Sequence, residues 1–93
     1  MANSDKYLAE FLGTMLLLIC ILASSGNSVV VGAGLALAVY FSASISGGHI
    51  NPAVSIAMYV NKKLSLQDLL LYITVQVSGA VAAVFLYNQV SKL

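Results

Sequence analysis

From Tyr7 through Asn61 the chain carries a single charged side chain, Glu10. Water-soluble domains hold about 25% charged residues, whereas this chain of 93 residues holds 8%, with 60% hydrophobic. A chain so poor in charge has no polar face to turn toward water, so the solvent it is built for is a lipid bilayer. The hydrocarbon core of a bilayer is about 30 Å thick, and a helix needs about 20 apolar residues to cross it. Segments over about 7–24, 28–44 and 66–87 meet that requirement. The expected fold class is therefore an all-α membrane protein: three transmembrane helices plus one re-entrant half-helix over about 46–60, in a single unit covering 1–93.

The half-helix is expected because Ser46-Gly47-Gly48-His49-Ile50-Asn51-Pro52-Ala53-Val54-Ser55 places polar, irregular backbone in the middle of an apolar chain. Lipid offers no water to exposed peptide groups, so non-helical backbone at membrane depth survives only where protein buries it or where it lines a water-filled cavity. Asn51 is a strong N-cap type, and Pro52 suits the first helical position, where its missing N–H would be unpaired anyway. A helix from there to Val60 is short, reaching about half of the hydrocarbon thickness at about 1.5 Å per residue. Its N-terminus, equivalent to roughly +0.5 charge, would point into the cavity and disfavour cations and protons. Gly47 and Gly48 let the backbone approach a permeant molecule closely. Their carbonyls and that of His49 would then accept hydrogen bonds, while the Asn51 amide donates.

This ten-residue stretch resembles the first Asn-Pro-Ala loop of the aquaporin, or major intrinsic protein, family of water and glycerol channels. Ala9-Glu10-Phe11-Leu12-Gly13-Thr14 resembles the family's first span, Gly32 through Ser46 its second, and Tyr72, Gln76, Gly79-Ala80 and Leu86-Tyr87 its third. The resemblance implies a fold equivalent to one inverted repeat of the aquaporin architecture. It assigns Asn51, Pro52 and Ala53 to the pore motif, the Gly47, Gly48 and His49 carbonyls to the pore wall, and Val31 to the selectivity filter, where the family commonly has an aromatic. Val31 departs from that pattern and implies a wider, less water-selective constriction.

Apart from Asp68 in the opening turn of the third, Glu10 is the only acid inside a span, and an intramembrane ionisable group marks a functional or structural pivot by default. As a proton relay it would need a second titratable partner, which the spans lack. As an anchor it accepts from backbone N–H groups of the loop, the role the resemblance implies for Glu10 and, alongside it, for Gln76. Gln76 can bond across helices or to the loop, and Gly79 with Ala83 forms a small-xxx-small contact face. His49 has no Cys, Asp or second His at a ligand spacing, so it reads as a packing residue and no metal or other cofactor is expected. Without a nucleophile–base arrangement, a phosphate loop or a dinucleotide fingerprint, no enzyme is expected either. The net charge of +1 offers no face for nucleic acid, and the single Cys20 sits in an apolar run as a packing residue. Ser65 with Asp68 reads as a capping box opening the third span.

Lys6, Met15–Leu22 and Ala23-Ser24-Ser25 imitate a signal peptide, but Glu10 fits such a segment badly. The final Ser91-Lys92-Leu93 matches a peroxisomal address and is discounted, lying only a few residues beyond a span. Lys6, Lys62 and Lys63 fall on one side of the membrane against Lys92 on the other, which favours a cytoplasmic N-terminus; the expected location is the plasma membrane. The bias is shallow enough to leave dual topology open.

The family pattern combines two such halves in inverted orientation, and proton exclusion by half-helix dipoles and an arginine is the established property of aquaporin-type pores. This sequence contains one Asn-Pro-Ala and no arginine, with Val54 at the position matching the filter arginine of the second half. The expected function is a passive channel unit for water or small neutral, glycerol-like solutes, completed by a second half: an inverted copy of itself, making a homo-oligomer, or a complementary aquaporin half. The alternative is a non-conducting module or fragment that assembles with or modulates another channel half.

Overall fold

A computed structural model describes residues 3–93. The first two residues of the polar lead expected over Met1–Lys6 lie outside the described residues. The rest forms four helices, α1 (Asp5–Ser24), α2 (Ser28–Ser46), α3 (Pro52–Val60) and α4 (Leu66–Val90). Three of these, α1, α2 and α4, are long and apolar enough to cross a membrane. The longest dimension of the chain, 43 Å, matches a bilayer of about 40–45 Å including its headgroups.

Local chemistry sets the ends of each helix. Ser25 and Gly26 close α1 in left-handed conformations, φ +56° and +78°, and Gly26 N–H returns to the Ile21 carbonyl at 2.9 Å. Asn27 then caps α2, its side chain accepting from the N–H groups of Val29 and Val30 at 3.1 and 3.2 Å. At α3 the cap is Asn51, extended at φ −154°, with Pro52 in the first turn and Oδ1 accepting Ala53 N–H at 2.7 Å. Ser65 Oγ accepts Asp68 N–H at 3.1 Å to open α4.

The capping box expected at that point is only half present. Asp68 does not reach back to Ser65; its carboxylate takes Lys6 Nζ at 2.7 Å and Tyr7 OH at 2.6 Å instead. A cation and a phenol from α1 take the place of a local backbone N–H, and the Lys6 ammonium brings the carboxylate a full opposite charge that a peptide N–H lacks. The helices also run further than the apolar runs, α1 from Asp5, α2 to Ser46 and α4 to Val90. Helix termination follows backbone geometry rather than hydropathy: α2 stops where Gly47 turns left-handed at φ +91°, leaving only Gly47–Asn51 between α2 and α3.

Helix α1 is the centre of the bundle. It packs against both α2 and α4, and α3 rests on α4. The buried residues of α2 are Gly34, Ala38, Ser42 and Ser46, one every four positions and therefore a single stripe. The stripe packs on α1, Ser46 against Glu10, Ala38 beside Gly13 and Gly34 against Cys20. Between membrane helices the hydrophobic effect supplies no attraction, so close packing and hydrogen bonds hold them. Gly79 shows how close: a methyl there would stand 2.5 Å from the Phe11 carbonyl oxygen. Cys20 packs against Gly34, where a methyl would stand 2.6 Å from Sγ. Leu35, Leu37, Val77, Val81 and Phe85 point outward, as lipid-facing residues do.

Candidate functional site

The five residues between α2 and α3 depart furthest from regular backbone. Gly47, Gly48 and Ile50 all have positive φ, +91°, +65° and +61°. Gly48 needs its missing side chain for a second reason: a Cβ would stand 3.2 Å from Val39 Cγ1 and 3.4 Å from the Val39 carbonyl oxygen. A loop of this shape cannot satisfy its own N–H groups, and a side chain must do it.

That side chain is Glu10, which is fully buried. Oε1 accepts from Ile50 N–H at 2.8 Å and from Gln76 Nε2 at 2.8 Å. Oε2 accepts from His49 N–H at 3.0 Å and from Ser46 Oγ at 2.6 Å. One carboxylate thus collects four donors from α2, the loop and α4, and bonds to charged groups contribute about 1.5–3 kcal/mol each. Gly47 N–H goes to the Ala43 carbonyl at 3.0 Å and Gly48 N–H to Ser46 Oγ at 3.3 Å, so every N–H from Gly47 to Ile50 has a partner.

A second layer fixes the side chains around it. Gln76 Nε2 also reaches Ser55 Oγ at 3.0 Å, and Ser55 Oγ lies 2.8 Å from His49 Nδ1. Glu10 accepts only, which orients the Gln76 amide with nitrogen toward the carboxylate. Ser55 Oγ therefore receives a bond from Gln76 Nε2 and shares a second with His49 Nδ1, whose direction follows the imidazole tautomer. The His49 ring packs against Tyr72 with centroids 5.0 Å apart, and Tyr72 OH donates to the Ser46 carbonyl at 2.7 Å. Ile50 drives its side chain against Gly13, where a methyl would overlap Ile50 Cδ1. Gly13 therefore makes room for the loop as well as for Ala38 of α2.

What this framework leaves unbonded is informative. Among the described residues, the carbonyls of Gly47, Gly48 and His49 accept no hydrogen bond. Asn51 is exposed; its oxygen is used by Ala53 N–H, which leaves the amide NH2 free to donate. Beside it, a half-open cavity of about 240 Å³ is lined by Thr14, Leu17, Ile50, Asn51, Pro52 and Gln76 together with neighbouring apolar side chains. The arrangement offers a row of acceptors, one side-chain donor and apolar walls, which suits a small neutral hydroxylic molecule better than an ion.

Glu10, Gln76, the Gly47–His49 backbone and Asn51–Ala53 are thus gathered in one place. Val31 is not: it lies half-buried in the first turn of α2, and α2 makes no contact with α3. Sequence reasoning passed over Ser46, Ser55, Thr14 and Tyr72. The four-residue spacing of Gly34, Ala38, Ser42 and Ser46 was the available signal for Ser46. Ser55 stands four residues after Asn51, one helical turn back toward the loop. Among the described residues no group of three His, Cys, Asp or Glu side chains stands ready for a metal.

The family model described as major intrinsic protein matches residues 1–93. The chain is 41% identical over 86 residues to glycerol uptake facilitator protein-like 6 of Lactiplantibacillus plantarum, covering 84% of this chain and 40% of that protein. It is 43% identical over 100 residues to the glycerol uptake facilitator protein of Pseudomonas aeruginosa, covering 92% and 36%. To the propanediol uptake facilitator PduF of Salmonella typhimurium it is 44% identical over 85 residues, covering 77% and 32%. The chain therefore spans between about a third and two fifths of the length of these relatives.

Proposed function

The chain belongs to the major intrinsic protein family, and from that premise we propose that it is one half of a passive transmembrane channel for small neutral solutes of the polyol class. The family is one of membrane channels, which leaves His49 and Ser55 as framework rather than catalytic groups. The chain is an integral, multi-pass membrane protein, with three spanning helices.

In this reading Gly47–Asn51 and α3 form the re-entrant segment, with α3 starting near the midplane and returning to the membrane face that carries the Lys62-Lys63 turn. The observation that carries the reading is the division of labour in the loop: every N–H from Gly47 to Ile50 is bonded inward, while three successive carbonyls and the Asn51 amide are left for a solute. Such a row replaces the hydration of a hydroxyl as it passes, whereas a cation would meet it on one side only and beside the positive end of α3. Relatives named for glycerol and propanediol uptake support the polyol class, and Val31 in place of an aromatic filter residue supports a constriction that passes more than water. The N-terminus and the Lys62-Lys63 turn lie on the cytoplasmic side of the plasma membrane.

The unit conducts only when completed. Among the described residues helix α3 packs against α4 alone of the helices, so one wall of any pore along it must come from a second half. The same observation favours the rival reading, in which the chain is a non-conducting module that assembles with another channel half. Stopped-flow light scattering of liposomes bearing the chain, with glycerol or sucrose as osmolyte, tests the proposal. Glycerol and water flux above empty vesicles, abolished by Asn51→Asp, is expected. Background flux from an inserted, folded chain sinks the lone-channel form and leaves the module.

A further inference from the structure

The turn from α3 to α4 borders an open cleft of about 640 Å³, lined by Tyr59, Val60, Lys62, Lys63, Leu64 and Ser65. Its backbone is fixed by two hydrogen bonds, from Lys62 N–H to the Tyr59 carbonyl at 3.0 Å and from Lys63 N–H to the Met58 carbonyl at 2.8 Å. Lys62 is left-handed, φ +63°, and the chain turns there with both lysines on one cleft. No carboxylate lines it. Asp68, the acid nearest in sequence, is occupied by Lys6 Nζ and Tyr7 OH, and among the described residues neither Lys62 nor Lys63 has an acidic partner. The cleft is therefore complementary to an anion. It also has an apolar rim: Val60 is 72% exposed, and Leu66, just beyond the turn, is 54% exposed.

Depth decides which anion fits. With α3 starting near the midplane, its nine residues reach about 14 Å at about 1.5 Å each, which brings the cleft to the edge of a hydrocarbon half-thickness of about 15 Å. Lipid headgroups begin at that level. We infer that the cleft is a docking site for the phosphodiester headgroup of an anionic phospholipid, with the Lys62 and Lys63 ammonium groups on the phosphate and Val60 and Leu64 against the upper acyl carbons. A soluble anion would leave the apolar rim in water, whereas a lipid covers it. Each lysine held near an anionic surface favours association about fivefold. The inference goes beyond the channel reading and rests on it only in taking α3 as re-entrant.

The test is native mass spectrometry of the chain in mild detergent, titrated with dioleoyl phosphatidylglycerol or dioleoyl phosphatidylcholine. The two lipids share acyl chains and a phosphate, but only the first has a net negative charge. A single phosphatidylglycerol adduct is expected at a concentration at least about tenfold below that needed for phosphatidylcholine. Lys62→Gln with Lys63→Gln is expected to remove this preference while far-UV circular dichroism stays helical. Lys62→Arg with Lys63→Arg should keep it, as should Lys92→Gln, which lies beyond the far end of α4. Equal binding of the two lipids overturns the inference, as does a preference that the glutamine pair leaves intact or that Lys92→Gln removes. Displacement of the lipid by inorganic phosphate or a tetraglutamate peptide at equal concentration overturns it in favour of a soluble anion or an acidic protein partner. Glycerol flux into liposomes separates this inference from the channel reading: lipid preference without flux sinks the channel and keeps the lipid site, and flux without preference does the reverse.

Discussion

The Glu10 carboxylate holds the Ile50 N–H at 2.8 Å while Ile50 sits at φ +61°, a left-handed conformation that a β-branched residue avoids. Such backbone strain costs of order 1–3 kcal/mol and persists only where surrounding contacts over-determine it. Here they do: the carboxylate fixes the N–H, Thr14 Oγ1 meets the carbonyl at 3.3 Å, and the side chain is 2% exposed in the hollow at Gly13.

That balance predicts an unusual order of truncations at residue 50. Ile50→Ala loses the packing and keeps the strain, so it is expected to cost about 3 kcal/mol by the usual range for buried Ile→Ala. Ile50→Gly loses the same packing but relieves the left-handed strain, and is expected to be the milder by about 1 kcal/mol. Urea or thermal unfolding in detergent micelles gives the order; a glycine variant less stable than the alanine one refutes the strain.

Replacing Glu10 by Gln presents an amide NH2 to a ring of four donors. At least one of the bonds to Ser46, His49, Ile50 or Gln76 becomes a clash, and charge-assisted bonds contribute about 1.5–3 kcal/mol each. A loss of about 3 kcal/mol is expected, with flux falling in parallel because the loop loses its shape. Unchanged stability and flux would show that the carboxylate is not what positions the loop.

The glycines divide into two kinds. Gly79→Ala forces its methyl against the Phe11 carbonyl, a backbone atom that cannot swing aside, and overpacking of this kind costs about 1–3 kcal/mol. Gly32→Ala meets nothing within 4 Å and gains helix propensity, so it should leave stability unchanged or raise it by up to about 1 kcal/mol. Equal effects at both positions would contradict the close α1–α4 approach.

Asp68→Asn weakens the clamp to Lys6 and Tyr7. The ion pair is partly exposed, with side chains 29% and 18% accessible, so its value lies near about 1 kcal/mol and should shrink as salt rises. Unfolding of wild type and variant at low and high sodium chloride checks this; a salt-independent difference would point to packing instead.

The apolar runs announced the three long helices, and Asn51-Pro52 announced the start of α3, because capping and hydropathy are local properties. The exact ends of α2 and α4 were less legible, since a helix continues through polar residues whenever neighbours satisfy them, as Glu10 does for Ser46. The lone charge of Glu10 required donors, and Gln76 was expected as an anchor beside it, yet nothing in the sequence said that Ser46 would join them. That Gln76 Oε1 is buried without a partner was invisible for the same reason: whether an amide is satisfied depends on three elements meeting in space.

Glu10 and Gln76 are separated by 66 residues, and Lys6 and Asp68 by 62. A ribosome therefore delivers the carboxylate long before its last donor and the clamp's cation long before its anion. Helices α1 and α2 can pair as soon as both have left the translocon, but Gly47–Asn51 cannot reach its final shape until α4 enters the bilayer and closes both contacts together. Biogenesis of this chain is thus ordered by its third span, and a truncation of α4 before Gln76 would take one of the four donors from Glu10 as well as remove a helix.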